Sequence, residues 1–117
     1  QTITHKKAAI NVSHAALFLT SLLQGKTENL QVAMEDFLHV PYRRELIPHC
    51  DEAFEAALTG GAYGTTISGS GSTLIAYCNE ATVEETARLM GKVFTSNGIA
   101  CHTYTLPADS EGAFYTE

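Results

Sequence analysis

The stretch GTTISGSGSTLIAY, residues 64–77, is the feature that most constrains the fold. Two runs suited to β-strands, GTTIS and TLIAY, are separated by Gly69, Ser70 and Gly71, a pattern that predicts an antiparallel hairpin. Glycines in such a turn can reach positive φ and leave consecutive amides exposed as a small anion-binding nest beside Ser68. The residues alone leave both a plain tight turn and an anion site open.

Two common phosphate-binding loops do not fit this stretch. A Walker loop needs a lysine after its second glycine and then a helix whose amides face the phosphate. A dinucleotide-binding fingerprint also needs a helix directly after its glycines. Here Gly71 is followed by STLIAYC, which is strand-like throughout, so neither loop is predicted.

Helical patterns precede the hairpin. Helical spacing predicts a first helix from Asn11, which can cap it, to Gly25, which can end it in a left-handed conformation. Thr27 can cap a second helix, which Pro41 ends. The apolar positions that follow helical spacing are Val12, Ala15, Ala16, Leu19, Leu22 and Leu23 in the first helix and Leu30, Ala33, Met34, Phe37 and Leu38 in the second.

The next segment, PYRRELIPH, lies between Pro41 and Pro48 and is too short for an ordinary element. It is predicted to be a structured connector or a single helical turn, and connectors of this kind often carry function. A third helix is predicted from His49 to Gly60-Gly61. Its buried face would consist of Cys50, Ala53, Phe54, Ala57 and Leu58.

After the hairpin, TVEE at residues 82–85 has the pattern of a capping box and predicts a fourth helix that Asn97-Gly98 closes. Its buried face would consist of Val83, Ala87, Met90 and Phe94. The segment from Ile99 to Leu106 suits a strand, and GAFYT near the end can add another. This order predicts an α+β fold, an antiparallel sheet with helices packed on one face, related to the ferredoxin-like plait.

Composition limits the function classes. The 117 residues suit one domain, and the formal net charge of -6 without a basic stripe argues against nucleic acid as a partner. No apolar run reaches membrane-spanning length and no leader precedes the first helix, so a cytoplasmic protein without membrane contact is predicted. The chain begins with Gln1 rather than Met, which suggests a piece of a longer protein.

The three cysteines, Cys50, Cys78 and Cys101, lie inside apolar patterns and are predicted to be reduced core thiols. The pairs His49-Cys50 and Cys101-His102 could in principle converge on zinc. Adjacent residues on a strand point to opposite faces, and Cys50 fits the buried face of its helix, so no metal site is predicted.

Three blocks of sequence resemble the GHMP kinases. GGAYGTTISGSGSTLIAYC resembles the third signature motif of that superfamily, and AMEDFLHVPYRRELIPH resembles the homoserine kinase family within it. The stretch NVSHAALFL from Asn11 is similar to the helix that precedes these blocks in that family. The resemblance covers nearly the whole chain but only the C-terminal portion of such a kinase, so it implies that residues 1–117 are a GHMP kinase C-terminal domain.

The resemblance implies an enzyme that transfers the γ-phosphate of ATP to the hydroxyl of L-homoserine, with Mg²⁺, in threonine biosynthesis. The P-x-x-x-G-L-x-S-S-A loop that binds nucleotide phosphates in the family is absent from these residues. ATP and Mg²⁺ would therefore bind mainly to an N-terminal domain, which is the implied partner of this one. The 117 residues alone are expected to be inactive, and no catalytic residue is assigned to them.

Arg43, the arginine of PYR, matches the family position that grips the substrate carboxylate, which a guanidinium can bind through two parallel hydrogen bonds. Spacing alone favours a surface ion pair with Glu35, Asp36 or Glu45, and it is the resemblance that favours substrate binding. His39 and Arg44 are weaker candidates.

Gly69 and Gly71 are implied to press against the phosphate loop of the N-terminal domain, with Ser68 and Ser70 as hydrogen-bonding partners. Ser72 stands where the family motif usually has proline, which should loosen the entry to the second strand.

Two other interpretations stay open at this stage. A different GHMP kinase of the mevalonate type would show no preference for an α-amino acid. A non-catalytic ferredoxin-like module could sense a small amino acid or mediate dimerisation. The apolar faces of the first two helices would also suit a homodimer if no other domain covers them.

Overall fold

The computed structural model describes residues 2–116 and confirms an α+β fold. The elements are α1 His5–Gln24, α2 Leu30–Ala33, α3 Val40–Arg43, α4 Cys50–Thr59, β1 Gly64–Ser68, β2 Thr73–Tyr77 and α5 Val83–Ser96, with short 3₁₀ turns at Thr27–Asn29 and Arg44–Leu46. None of the helices among these residues is long and apolar enough to cross a membrane.

The predicted hairpin is confirmed. β1 and β2 pair antiparallel, with Gly64 opposite Tyr77 and Ser68 opposite Thr73. The two strands predicted further on, over Ile99–Leu106 and GAFYT, are wrong, because residues 99–116 contain no strand. A strand is stabilised by pairing with a neighbouring strand rather than by residue type alone, and the sheet of the described residues consists of β1 and β2.

The core lies where α2, α4 and β1 meet. Its buried apolar residues are Leu30, Ala33, Met34, Cys50, Ala53, Ala57 and Ile67. The buried face predicted for the third helix is therefore confirmed in Cys50, Ala53 and Ala57, and Phe54 and Leu58 are half-buried. Small residues on this face let α4 approach both β1 and α5 closely.

Helix α1 begins earlier than predicted. It starts at His5, after Thr4, whose Oγ1 accepts a hydrogen bond from the Lys7 amide at 3.3 Å. Asn11 lies inside the helix, so the prediction that Asn11 caps it is wrong. Gly25 ends the helix at φ 66°, as predicted.

The apolar face that helical spacing indicates for α1 is turned outward. Val12, Leu19 and Leu23 are 73%, 58% and 78% exposed, respectively. The opposite face makes the contacts: Phe18 packs edge-to-face on Tyr77, with ring centroids 5.3 Å apart, and Ser21 is buried. This outward apolar ridge is defined by Val12, Ala15, Ala16, Leu19, Leu22 and Leu23, all of them exposed.

Helix α5 begins at Val83, directly after Thr82 as predicted, but the hydrogen bonds at its start differ from the prediction. Thr82 precedes it without a capping hydrogen bond from its side chain, so the predicted capping box is not formed. Asn79 takes that place, because its Oδ1 accepts from the amide and the hydroxyl of Thr82 at 3.0 and 3.1 Å. Glu85 instead pairs with Arg88 at 2.6 Å. Gly98, at φ 72°, follows the helix as predicted.

Thr86 of α5 carries a buried hydroxyl that finds no hydrogen-bond partner within residues 2–116. Because an unsatisfied buried hydroxyl costs free energy, we expect Thr86→Val, which replaces it with a methyl group, to stabilise the protein by about 1 kcal/mol. In urea unfolding, the stabilised variant should have a higher midpoint urea concentration than the parent protein. Thr86→Ser, which keeps the hydroxyl and deletes the methyl, should lower the midpoint; a lower midpoint for Thr86→Val as well would contradict the assignment.

Candidate functional site

The connector between Pro41 and Pro48 is structured, as predicted. Its first part is the single turn α3, followed directly by the 3₁₀ turn Arg44–Leu46. Pro41 does not end the second helix; it lies in the first turn of α3, where the missing amide hydrogen of proline carries no penalty. Arg43 is the last residue of α3.

Asp36 explains why the second helix ends early. Its Oδ2 accepts hydrogen bonds from the amides of His39 and Val40, both at 2.6 Å, and its Oδ1 accepts from the amide of Leu38 at 3.1 Å. An aspartate that binds nearby amides in this way competes with helix continuation. Helix α2 therefore stops at Ala33, and Phe37 lies outside it. At the other end of α2, Thr27 begins a 3₁₀ turn instead of capping an α-helix.

The same hydrogen bonds change the acidity of Asp36. Partial burial alone would raise the pKa of this carboxyl, but the amides of Val40, Leu38 and His39, together with the Asn11 side chain, outweigh burial and lower it. Asp36 is therefore a carboxylate at neutral pH, and both of its oxygens can accept hydrogen bonds from these amides.

Helix α1 holds this segment from the other side. The side-chain oxygen of Asn11 accepts from the amide of Phe37 at 2.7 Å, and the Nδ1 of His14 donates to the carbonyl oxygen of Glu35 at 2.8 Å. The ammonium of Lys7 lies 5.7 Å from the centre of the Phe37 ring, within range of a cation–π contact. Asn11 thus serves a tertiary contact rather than a helix cap.

A hollow of about 390 Å³ lies between this segment and the hairpin. The residues that line it are Asp36, His39, Val40, Arg43, Thr66, Ile67, Gly69 and Ser70. It thus brings together three residues that the sequence singled out, Arg43, Gly69 and Ser70, and also His39. Ser68 and Gly71 do not line it.

Arg43 is an exposed residue that lines this hollow. Within residues 2–116 its guanidinium makes no ion pair within 4.0 Å, so the alternative of a surface pair with Glu35, Asp36 or Glu45 is not observed. The neighbouring Arg44 instead pairs with Asp51 at 3.4 Å. A guanidinium that lines a concave site and has no counter-ion is well suited to an anionic ligand.

The glycine turn faces the hollow from the hairpin side. Gly69 has φ 61°, a conformation that favours glycine, whereas Gly71 does not have the positive φ that the sequence allowed. The amides of Gly69, Ser70 and Gly71 donate no hydrogen bond within the part of the chain that the structure describes. A β-carbon on either glycine would meet no atom within 4 Å, so the described residues do not crowd this turn.

Sequence reasoning missed several residues of the hollow. Thr66 and Ile67 were assigned only to a strand, and Asp36 only to a possible ion pair. The signal for Asp36 was its residue type, since an aspartate side chain commonly accepts a hydrogen bond from the backbone two residues further on. The wall formed by β1 depends on tertiary packing and has no local signal.

The residues considered for a metal lie elsewhere. Cys50 is buried in α4, and burial, followed by the nearby charge of Asp51, raises the pKa of its thiol. His49, at φ 59°, hydrogen-bonds to Glu52. No group of three or more His, Cys, Asp or Glu side chains among residues 2–116 could hold a metal ion.

Two kinds of comparison identify relatives of this fold. The family model described as GHMP kinases C terminal matches residues 18–95. The crystal structure of homoserine kinase from Cytophaga hutchinsonii superposes with a TM-score of 0.83 at 28% identity, covering 89% of this chain and 33% of that one.

Curated relatives agree with the solved structure. The homoserine kinase of Synechocystis sp. is 38% identical over 110 residues, which cover 94% of this chain and 36% of that protein. The homoserine kinase of Caldanaerobacter subterraneus subsp. tengcongensis is 33% identical over 113 residues, with 97% of this chain and 36% of that protein covered. The chain thus spans little more than a third of the length of these relatives, and by the family match it belongs to the GHMP kinases, as their C-terminal domain.

Proposed function

We propose that residues 1–117 form the substrate-side domain of a homoserine kinase, which transfers the γ-phosphate of ATP to the hydroxyl of L-homoserine. The observation that carries this proposal is the unpaired guanidinium of Arg43 in the same hollow as the turn at Gly69 and Ser70. The relatives named above support the choice of substrate. Such an enzyme would act in the cytoplasm, on the route to threonine.

In this proposal Arg43 binds the α-carboxylate of homoserine. The guanidinium can donate two parallel hydrogen bonds to the two carboxylate oxygens, which fixes both the position and the orientation of a small substrate. Phosphoryl transfer depends mostly on alignment and electrostatic stabilisation. Arg43 would therefore contribute by holding the substrate hydroxyl in line with the γ-phosphorus.

The reaction breaks the bond between the γ-phosphorus of ATP and the β,γ-bridging oxygen. It forms a bond between the γ-phosphorus and the hydroxyl oxygen of the homoserine side chain. ADP leaves with the bridging oxygen, and the hydroxyl proton is released. The turn at Gly69 and Ser70 would lie next to the phosphates, since its free amides suit anionic oxygens. Ser68 and Gly71 would belong to the outer side of the turn, where the nucleotide-binding part of the complete protein would pack.

The hollow does not fit Mg²⁺. Asp36 is the acidic residue among those that line the hollow, and both of its carboxylate oxygens already accept hydrogen bonds from backbone amides. In our proposal the ion and the nucleotide are therefore bound mainly by the remainder of the complete protein, and residues 1–117 alone have no kinase activity.

A coupled ADP-release assay of the complete protein tests the function. L-Homoserine should support ADP formation and yield O-phospho-L-homoserine by mass spectrometry, whereas mevalonate should not. Residues 1–117 expressed alone should release no ADP. Phosphorylation of mevalonate in preference to homoserine would overturn the substrate assignment, and phosphorylation of homoserine by residues 1–117 alone would overturn the division of labour.

The role of the turn predicts the result of Gly71→Val in the complete protein. Because no described residue lies within 4 Å of the new β-carbon, we expect the unfolding temperature to stay within about 2 °C of the parent value. The bulkier turn should collide with the nucleotide-binding part and reduce kcat at least about tenfold, about 1.4 kcal/mol. Both proteins, the parent and Gly71→Val, would be measured at saturating ATP and homoserine. An equal kcat would show that Gly71 does not contact the phosphate loop.

A further inference from the structure

We propose that Asp36 is a positioning residue for Arg43: its carboxylate fixes the start of α3 and thereby sets where the guanidinium lies in the hollow. Asp36 would not touch the substrate carboxylate. The inference rests on the proposed function for the identity of the ligand, but the part that concerns α3 can be tested without it.

The first support is the number of hydrogen bonds that converge on one carboxylate. The amides of Leu38, His39 and Val40 all donate to Asp36, and the two contacts to Oδ2 measure 2.6 Å each. These amides precede or begin α3, which is only one turn long. A single turn has little stability of its own, so its orientation depends on what holds its first residues.

The second support is the anchoring of Asp36 itself. The next residue, Phe37, donates its amide to Asn11 at 2.7 Å, in the middle of the long helix α1. The hydrogen bond from the Phe37 amide to Asn11 therefore ties this segment to α1, and the neighbouring Asp36, linked to Phe37 by the peptide bond, ties it to the start of α3. Arg43 ends that turn, and its amide is bound to the carbonyl oxygen of His39 at 3.0 Å.

The third support is the way in which Asp36 and Arg43 share the hollow. Both line it, yet no ion pair within 4.0 Å joins them, and both carboxylate oxygens accept hydrogen bonds from backbone amides. Asp36 therefore leaves the guanidinium available to a ligand. Its influence on Arg43 passes through the backbone of α3 and not through a direct charge contact.

The test is a double-mutant cycle in the complete protein. Asp36→Ala should raise the KM for homoserine about fivefold to tenfold, the factor expected for losing one side-chain cap, with kcat and the KM for ATP within about twofold. Asp36→Asn, which can keep an acceptor oxygen, should give a smaller increase. In an Arg43→Ala background, Asp36→Ala should change the KM for homoserine less than about twofold, because the residue through which it acts is gone.

Asp109 offers a matched control. Its Oδ1 accepts from the amides of Glu111 and Gly112 at 2.7 and 3.0 Å, a turn of the same kind in an exposed segment that does not line the hollow. Asp109→Ala should leave the KM for homoserine unchanged. An equal rise in KM for both aspartate variants, or a full effect of Asp36→Ala in the Arg43→Ala background, would overturn the inference.

Hydrogen–deuterium exchange separates this inference from the proposed function. Asp36→Ala should increase amide exchange in a peptide that covers residues 37–43, whereas Asp109→Ala should not. Faster exchange in a protein that does not phosphorylate homoserine would mean that the assigned substrate is wrong and that Asp36 still holds α3. Unchanged exchange in an active homoserine kinase would overturn the positioning role alone.

Discussion

Arg43→Lys in the complete protein is expected to raise the KM for L-homoserine about 30-fold to 100-fold, a loss of about 2–3 kcal/mol. Lysine keeps the positive charge but cannot donate two parallel hydrogen bonds to a carboxylate, and no described acidic side chain holds it in the hollow. The KM for ATP should change less than about twofold, since the proposed contact is with the other substrate. Steady-state kinetics with each substrate varied in turn would measure both values.

Arg44→Lys is the matched control, because it makes the same chemical change one residue further along. Arg44 pairs with Asp51 at 3.4 Å through side chains that are 49% and 65% exposed, and such surface pairs contribute little. Its kinetic constants should match those of the parent protein. An unchanged KM for homoserine in Arg43→Lys, or equal effects of the two substitutions, would exclude Arg43 as the carboxylate-binding residue.

Gly60→Ala is expected to lower the free energy of unfolding by about 3 kcal/mol, at the upper end of what overpacking a close contact costs. An added β-carbon would lie 2.8 Å from the Cα and 3.2 Å from the backbone nitrogen of Thr86. Backbone atoms of α5 cannot rotate away as a side chain could, so α4 and α5 would have to separate. Urea unfolding of the purified protein would measure the change.

Gly71→Ala is the control for that experiment. Gly71 has no positive φ, and a β-carbon there would meet nothing within 4 Å. We expect its free energy of unfolding to equal or slightly exceed that of the parent, since alanine restricts the unfolded chain. Equal losses for Gly60→Ala and Gly71→Ala would mean that the helix contact is looser than described.

The hairpin, α4 and the end of α1 could be predicted because local residues determine them. Gly25 and Gly98 take the left-handed conformations expected of helix ends, and the Gly-Ser-Gly turn joins two short strands. The packing face of α1 could not be predicted, because the helix is apolar on two sides. Periodicity identified the side with Val12 and Leu19, whereas Phe18 and Ser21 make the contacts.

Side-chain hydrogen bonds account for two other errors. Asp36 diverts the amides that a longer second helix would have used, and Asn79 replaces the predicted capping box at α5. In both cases a polar residue outside the apolar pattern forms the hydrogen bonds next to a helix end. The predicted strand over Ile99–Leu106 failed for a different reason, because it lacks a neighbouring strand among residues 2–116.

The sequence predicted individual residues of the candidate site, but it did not predict that they would lie together. The resemblance singled out Arg43 and the glycine turn, which lie in different segments, and their meeting in one hollow is a result of the tertiary fold. Spacing alone could not separate Arg43 from Arg44. Their different partners in the structure do so, because Arg44 is paired with Asp51 and Arg43 is not.

The outward apolar ridge of α1 has a consequence for how these 117 residues behave in solution. Hydrocarbon turned toward water favours contact between molecules, and the formal net charge of -6 supplies the repulsion that opposes such contact. Salt at 0.15 M confines that repulsion to about 8 Å. Handled without the rest of the protein, this polypeptide should therefore stay dispersed at low ionic strength and associate as salt is added, the reverse of a protein held together by ion pairs.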